Sequence, residues 1–177
     1  MELVEVTTAR IEDAKELADV AARTFPLACP PTSTPENIGA FIETHLTPER
    51  FTEYLADPDR AVLTVSADSR ITGYCMLIRG VPEDPDVQRA VPVRPAVELS
   101  KMYVLPEVHG AGAATALMTA ALDRATAMAA RSVWLGVNQH NRRAQRFYAK
   151  HGFTIHGAKT FRLGDGVESD FVMVRPL

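Results

Sequence analysis

The sequence predicts a single α/β domain, built on a mixed, mostly antiparallel sheet with a central parallel strand pair and flanking helices. Residues 61–67 and 71–78 read as two strands on either side of a short polar turn, which predicts an antiparallel hairpin. Residues 97–138 read as strand, turn, helix and strand, an order that favours parallel strands joined by a right-handed crossover. With 46% apolar composition, residues 1–177 are enough for one packed core, so a second full domain is not expected.

The first third of the chain combines one strand with several helices. Residues 3–8 alternate and predict a strand, and residues 12–25 place their apolar side chains on one helical face. Residues 26–36 contain four prolines, so we expect no regular structure there. Thr34 and Thr47 each precede a proline, the usual pairing of an N-cap with the first helical residue, and two further helices should begin there.

Two later segments complete the predicted domain. Residues 79–95 again contain four prolines and read as a long loop, which is either functional or simple variable surface. Residues 141–153 contain a predicted short helix, which Gly152 terminates. The chain should then close with a hairpin of residues 153–163 and 168–174.

The overall composition excludes several classes of protein. A net charge of −3 gives no basic excess for general binding to nucleic acid. No apolar run approaches the roughly 20 residues of a membrane helix, and the first residues lack a signal pattern, so we expect a cytoplasmic protein without membrane contact. Cys29 and Cys75 lie far apart without metal-ligand spacing, so neither a disulfide nor a metal site is expected.

The turn before the longest predicted helix is made of small residues. His109-Gly110-Ala111-Gly112-Ala113-Ala114 offers nearly bare amides at the positive end of a helix, which suits an anion such as a phosphate. The turn lacks the Gly-Lys-Ser/Thr of a P-loop and falls too late for a dinucleotide fingerprint. A tight turn without a ligand is the remaining alternative from these residues alone.

Two segments together resemble a known family. The spacing His109-x-x-Gly112-x-Ala114 is similar to the pyrophosphate loop of the GCN5-related N-acetyltransferases (GNAT), and NRRAQRFYAKHGF (residues 141–153) resembles a second segment of that family. The family usually has Arg or Gln at the first loop position. His109 brings no permanent charge, so weaker cofactor binding is expected.

The resemblance implies the GNAT fold and acetyl-CoA as acetyl donor, with no metal. The donor would lie where the strand of residues 98–104 splays from that of residues 132–138, with its pantetheine arm along the first strand and its pyrophosphate on the turn. The implied cofactor-binding residues are Met102, Tyr103, Val104, His109, Gly110, Ala111, Gly112, Ala113, Ala114, Asn138, Asn141 and Tyr148.

Two residues are candidates for catalysis. Tyr148 matches the family's general acid, and a phenol with an ordinary pKa of about 10 stays protonated while it faces a thiolate leaving group. Its alternative role is that of a core aromatic beside Phe147. Glu98 is the candidate general base, acting through water on an amine that must lose a proton, and an ordinary strand-end carboxylate is the alternative.

The acceptor is the least defined part of the sequence. ELSKMYVLPEVHGAG (residues 98–112) is most similar to the polyamine and small-amine branch, which implies a primary amine of a small molecule. The site is expected between residues 25–46 and 79–95, where Glu83, Asp84 and Asp86 could attract a cation. Acetylation of a protein N-terminus or lysine, and a non-catalytic CoA-binding sensor, are the alternatives. Dimers are common in the superfamily, so the resemblance allows a homodimer.

Overall fold

The computed structural model describes residues 4–110 and 112–177, which form seven strands and six α-helices. The strands are β1 (Glu5–Thr8), β2 (Arg60–Ala67), β3 (Arg70–Arg79), β4 (Ala96–Val104), β5 (Ser132–Asn138), β6 (Thr154–Leu163) and β7 (Gly166–Pro176). The helices are α1 (Ala14–Ala28), α2 (Pro35–His45), α3 (Pro48–Ala56), α4 (Pro85–Ala90), α5 (Ala113–Ala127) and α6 (Arg142–Lys150).

The strands form one sheet in the order β1-β2-β3-β4-β5-β7-β6. All neighbouring pairs are antiparallel except β4 and β5, which are parallel. The parallel pairing joins only the beginnings of the two strands, from Ala96 opposite Ser132 to Glu98 opposite Trp134. Beyond these residues the strands separate, and the predicted fold with a splayed central pair is confirmed.

Helices cover both faces of the sheet. On one face, Leu117 and Met118 of α5 pack against strand residues that include Leu135 in the largest buried cluster. On the other face, α1 and α3 pack against β2 and β3, with Phe51 and Tyr74 fully buried. The C-terminal end of α1 therefore lies on the same face of the sheet as the β4 side chains that point away from α5.

A bulge in β4 changes the direction of its side chains. Leu99 lies opposite Leu77 and Lys101 opposite Met76, so Ser100 is an extra residue in the ladder. In a regular strand, Glu98 and Lys101 would point to opposite faces, because side chains alternate. The extra residue brings both to the face covered by α1.

The predicted helix starts are confirmed at atomic detail. The hydroxyl of Thr34 accepts a hydrogen bond from the Asn37 amide at 3.1 Å, and that of Thr47 accepts from the Arg50 amide at 3.2 Å. Each helix then begins with the following proline, whose missing N–H needs no partner at that position.

The expectation that residues 26–36 hold no regular structure was wrong for their beginning. Helix α1 continues through Pro26 to Ala28. Pro26 removes only one helical hydrogen bond, close to the helix end, and burial of Thr24 and Phe25 holds the last turn in place. The Cys29 thiol donates to the Phe25 carbonyl at 3.4 Å and so closes this turn.

The expectation of a pure loop at residues 79–95 was also wrong, because the segment contains α4. Asp84 caps this short helix by accepting from the Asp86 amide at 2.9 Å. Val87 and Ala90 of α4 are buried in a cluster with Trp134 of β5. Apolar residues at helical spacing thus outweigh the proline content.

In the described ranges 4–110 and 112–177, no helix is long and apolar enough to cross a membrane.

Candidate active site

Two cavities with shared lining residues open where β4 and β5 separate. The first, of about 500 Å³, runs past residues 102–104 to the start of α5 and is called the turn groove. The second, of about 200 Å³, contains Glu98, Glu168 and Asp170 and is called the carboxylate cavity. Both are lined by Tyr103 and Tyr148. The two cavities therefore adjoin each other at these two residues.

The structure gathers most of the predicted cofactor residues in one place. Asn138 differs, because it lines the carboxylate cavity and not the turn groove. Ala111 lies outside the described residues. The predicted residues that line the turn groove are Met102, Tyr103, Val104, His109, Gly110, Gly112, Ala113, Ala114, Asn141 and Tyr148.

The start of α5 presents amides to the turn groove. Gly112 is the N-cap with φ 82°, and no described side chain caps this helix. The amides of Ala113 and Ala114 precede the first helical hydrogen bond, which runs from Ala116 to the Gly112 carbonyl at 3.0 Å. Unpaired amides at the positive end of a 15-residue helix fit an anionic group such as a diphosphate.

Gly112→Ala tests whether this backbone geometry matters. A Cβ at Gly112 would meet no protein atom, so in the free protein the substitution acts through the left-handed backbone, at a cost of about 1–2 kcal/mol. We expect a lower melting temperature and weaker CoA binding, measured by thermal unfolding and isothermal titration. The matched control is Gly39→Ala in α2, where the space is also open and φ is ordinary. Unchanged CoA affinity in Gly112→Ala would show that the turn geometry is not needed for the cofactor.

His109 is engaged by two protein groups. Its Nε2 lies 3.0 Å from the Val104 carbonyl oxygen, and its Nδ1 lies 3.1 Å from the guanidinium of Arg143 in α6. The sequence reasoning considered the imidazole alone and missed Arg143. Only the tertiary structure brings the start of α6 against the turn, although Arg143 lies within the quoted family segment.

Tyr148 lies at the junction of the two cavities. Its ring makes edge contacts with Phe147 and Phe153, with centroids 5.6 and 5.9 Å apart. Burial raises the pKa of Tyr148 to about 12. Among the described residues, no group forms a hydrogen bond with its hydroxyl. The phenol is thus held by packing, protonated at neutral pH, and available to a ligand.

Glu98 lines the carboxylate cavity beside Lys101. Burial raises the pKa of Glu98 above its ordinary value, and the charges of Lys101 and Lys159 oppose this change. Burial also lowers the pKa of Lys101, opposed by Glu98. Sequence reasoning missed Lys101, because strict alternation would have put it on the other face. The β4 bulge opposite Met76 brings the side chains of Glu98 and Lys101 to the same face of the sheet.

The other wall of the cavity comes from the C-terminal hairpin. Lys159 of β6 and Asp170 of β7 form an ion pair at 3.5 Å, with side chains 16% and 10% exposed. Burial raises the pKa of Asp170, while Lys159 opposes the shift. Glu168 lies nearby, and its charge adds to the raised pKa of Cys29, whose main cause is burial. No motif in the sequence marks these residues as a site.

The two asparagines mainly shape the backbone at the end of β5. Asn138 accepts a hydrogen bond from the His140 amide at 2.9 Å, and Asn141 caps α6 by accepting from the Ala144 amide at 3.1 Å. Both side chains also line the carboxylate cavity. Their oxygen atoms are therefore used within the protein, which leaves the amide nitrogens for a ligand.

The two segments that were expected to bound the acceptor lie in different places. Phe25, Ala28, Cys29 and Pro30 line the carboxylate cavity, but residues 31–46 and 79–95 are not among its described lining. Asp84 instead caps α4, and Asp86 forms an ion pair with Arg89. Residues of the β6–β7 hairpin line the cavity in place of residues 79–95. The apolar side of α4 packs instead in a buried cluster with Trp134.

Among residues 4–110 and 112–177, no group of three or more His, Cys, Asp or Glu side chains is arranged to hold a metal ion.

The splayed parallel strands and the amide-rich start of α5 define a class of protein. The model of the acetyltransferase (GNAT) family matches residues 19–153. The chain therefore belongs to the GNAT acetyltransferase family and is an acetyl-CoA-dependent N-acetyltransferase. The family resemblance seen in the sequence is confirmed.

Individual relatives agree with this assignment. The chain is 58% identical over 165 residues to an uncharacterized N-acetyltransferase of Mycobacterium tuberculosis, covering 93% of this chain and 98% of the relative. It is similar in fold to the PaiA N-acetyltransferase of Thermoplasma acidophilum, solved in complex with coenzyme A, with a TM-score of 0.78, 20% identity and coverage of 99% and 100%.

A second solved structure shows how broadly the fold is used. The ribosomal-protein-S18-alanine N-acetyltransferase of Escherichia coli has a TM-score of 0.65 at 15% identity, covering 98% of this chain and 94% of that chain. That enzyme is named for a protein acceptor. The fold alone therefore does not identify the acceptor.

Proposed function

We propose that the protein transfers the acetyl group of acetyl-CoA to a primary amine of a small cationic molecule, with polyamine-like compounds favoured. The observation that carries this proposal is the carboxylate cavity, which adjoins the turn groove at Tyr148. The cavity would hold the acceptor, and the turn groove would hold the donor.

The charges of the cavity favour a cationic acceptor. Three carboxylates, those of Glu98, Glu168 and Asp170, face the ammonium groups of Lys101 and Lys159. Lys159 is paired with Asp170, and Lys101 acts on Glu98, so Glu168 is left to balance a charge on the ligand. A protonated amine beside these groups would be stabilised more than a neutral or anionic group.

The shape of the cavity favours a small acceptor over a peptide. Phe25 and Phe161 both line it, and both pack on Phe41 of α2, with ring centroids 4.5 and 5.4 Å away. Asn37 of the same helix accepts a hydrogen bond from the Asp165 amide of the β6–β7 turn at 3.3 Å. Helix α2 thus joins α1 to the hairpin across one side of the cavity, where a peptide would need an open path.

The proposed chemistry assigns a role to each group near the junction. The residues given above for the turn groove bind the donor, with the amides of α5 at its diphosphate. Glu98 takes a proton from the amine through water, and its raised pKa makes it a stronger base than an exposed glutamate. Tyr148 gives a proton to the departing thiolate as the acetyl carbon–sulfur bond breaks. The amine nitrogen meanwhile forms the new bond to the acetyl carbon. The protonated amine loses two protons in all: one leaves through Glu98 and water to solvent, and the other balances the proton that CoA gains from Tyr148.

A panel assay tests the acceptor. Release of free CoA thiol would be measured with acetyl-CoA and a set of diamines, polyamines, amino acids, and peptides with free N-termini or lysines. We expect turnover with small cationic amines and little with peptides. Preferred turnover of peptides would replace the proposal with protein acetylation. CoA binding without turnover on any acceptor would favour the sensor alternative, which the available Tyr148 hydroxyl argues against.

A further inference from the structure

The turn groove contains a single permanent positive charge among its described lining residues. His109 occupies the loop position where a cation or amide is usual, and histidine is mostly uncharged at neutral pH. The other described lining residues are apolar or carry neutral polar groups, with the exception of Arg143. A diphosphate bound at the start of α5 would therefore meet one guanidinium, and it comes from α6.

The contacts of His109 fix how this guanidinium is held. A guanidinium can only donate hydrogen bonds, so Nδ1 of His109 must accept the one from Arg143 at 3.1 Å. The neutral ring then carries its proton on Nε2, which donates to the Val104 carbonyl at 3.0 Å. The imidazole thus links the end of β4 to the side chain of Arg143. Protonation of the ring would remove the acceptor and place two positive charges together.

No carboxylate of the described residues neutralises the charge of Arg143, so this charge can act on a ligand. Arg143 is exposed, and no carboxylate in residues 4–110 and 112–177 forms an ion pair with it. Its neighbours Arg142 and Arg146 lie on the same helix but are not among the described lining of the turn groove. Of the three arginines in α6, Arg143 is the one that contacts His109 and lines the turn groove in the described structure.

We propose that Arg143, oriented by His109, binds the diphosphate of acetyl-CoA and replaces the cation that the loop lacks. The inference rests on the use of acetyl-CoA as donor and not on the identity of the acceptor. The guanidinium binds the phosphates while the α5 amides bind the same group from the helix axis. His109 is a positioning residue, because it acts through Arg143.

The first test measures CoA binding to Arg143→Gln by isothermal titration. Loss of a charged hydrogen bond should raise the Kd about 10-fold. The matched control is Arg142→Gln, which removes the same charge from the adjacent exposed residue and should leave the Kd near the wild-type value. Equal effects of the two substitutions would mean that Arg143 contributes only general electrostatic attraction, and this result would overturn the proposal.

Titration with dephospho-CoA tests which phosphate of CoA Arg143 binds. This analogue lacks the 3′-phosphate and retains the diphosphate, so Arg143→Gln should weaken its binding by the same factor as for CoA. If Arg143→Gln has no effect on dephospho-CoA, the residue binds the 3′-phosphate and the proposal is wrong. If wild-type protein binds neither compound, the acetyl-CoA assignment itself fails, which is a distinguishable result.

A double-mutant cycle tests the positioning role of His109. His109→Ala should weaken CoA binding in the wild-type background and have little further effect once Arg143→Gln is present. The KM for acetyl-CoA should rise with little change in kcat, because the effect is on donor binding. Additive effects in the cycle would mean that His109 contacts the donor independently or only supports the turn, and would contradict the link to Arg143.

Discussion

Replacing Tyr148 by phenylalanine is expected to lower kcat at saturating acetyl-CoA about 100-fold, within the range for loss of a general acid. The ring would keep its edge contacts with Phe147 and Phe153, so the fold and the Kd for CoA should change little. Steady-state kinetics and titration calorimetry would separate the two quantities. A loss of donor affinity with unchanged kcat would contradict the role of acid.

Tyr103→Phe is the informative comparison for that experiment. Tyr103 also lines both cavities, and burial raises its pKa as well. Its proposed contribution to donor binding comes from its backbone, so loss of the hydroxyl should have a much smaller effect on kcat. If Tyr103→Phe is inactive and Tyr148→Phe is not, the acid has been assigned to the wrong phenol.

The pH profile provides an independent check on Tyr148. An acid is functional only below its pKa, and burial raises that of Tyr148 to about 12. The proton of Tyr148 should therefore be present at all pH values at which the enzyme is stable. A fall in activity between about pH 8 and pH 10 would have to come from another group.

Replacing Glu98 by glutamine is the second change with a large expected effect. We expect kcat/KM for the acceptor near neutral pH to fall about 10-fold or more, because the amine loses its base while the cavity keeps its shape. A base is functional only above its pKa, and burial raises the pKa of Glu98 above its ordinary value. Wild-type activity should therefore fall as the pH falls through that pKa, and the variant should lack this step.

Glu168→Gln is the matched control for Glu98, since it removes another carboxylate of the same cavity. Its expected effect is a higher KM for cationic acceptors with the acidic limb of the pH profile retained. The Glu98 assignment fails if Glu98→Gln keeps both the wild-type rate and the acidic limb. In that case the carboxylate serves only to balance Lys101.

The local elements followed from the sequence because their causes are local. Thr34 and Thr47 form helix caps with the amides three residues later, and this geometry depends only on the adjacent chain. The turn before α5 could be recognised for the same reason, since its glycines and small residues are contiguous. Residues 79–95 were misjudged, because burial of Val87 against Trp134 is a contact between distant parts of the chain.

The same distinction between local and long-range causes applies to the candidate site. The sequence by itself determined the family and the donor, and it predicted the turn and Tyr148 as site residues, because the motifs lie in two compact segments with fixed spacing. Only the tertiary structure placed Lys101 beside Glu98, added Lys159 and Asp170 from the C-terminal hairpin, and set Arg143 against His109. A bulge, a strand pairing and a helix position produce these contacts, and each results from packing between segments that are far apart in sequence.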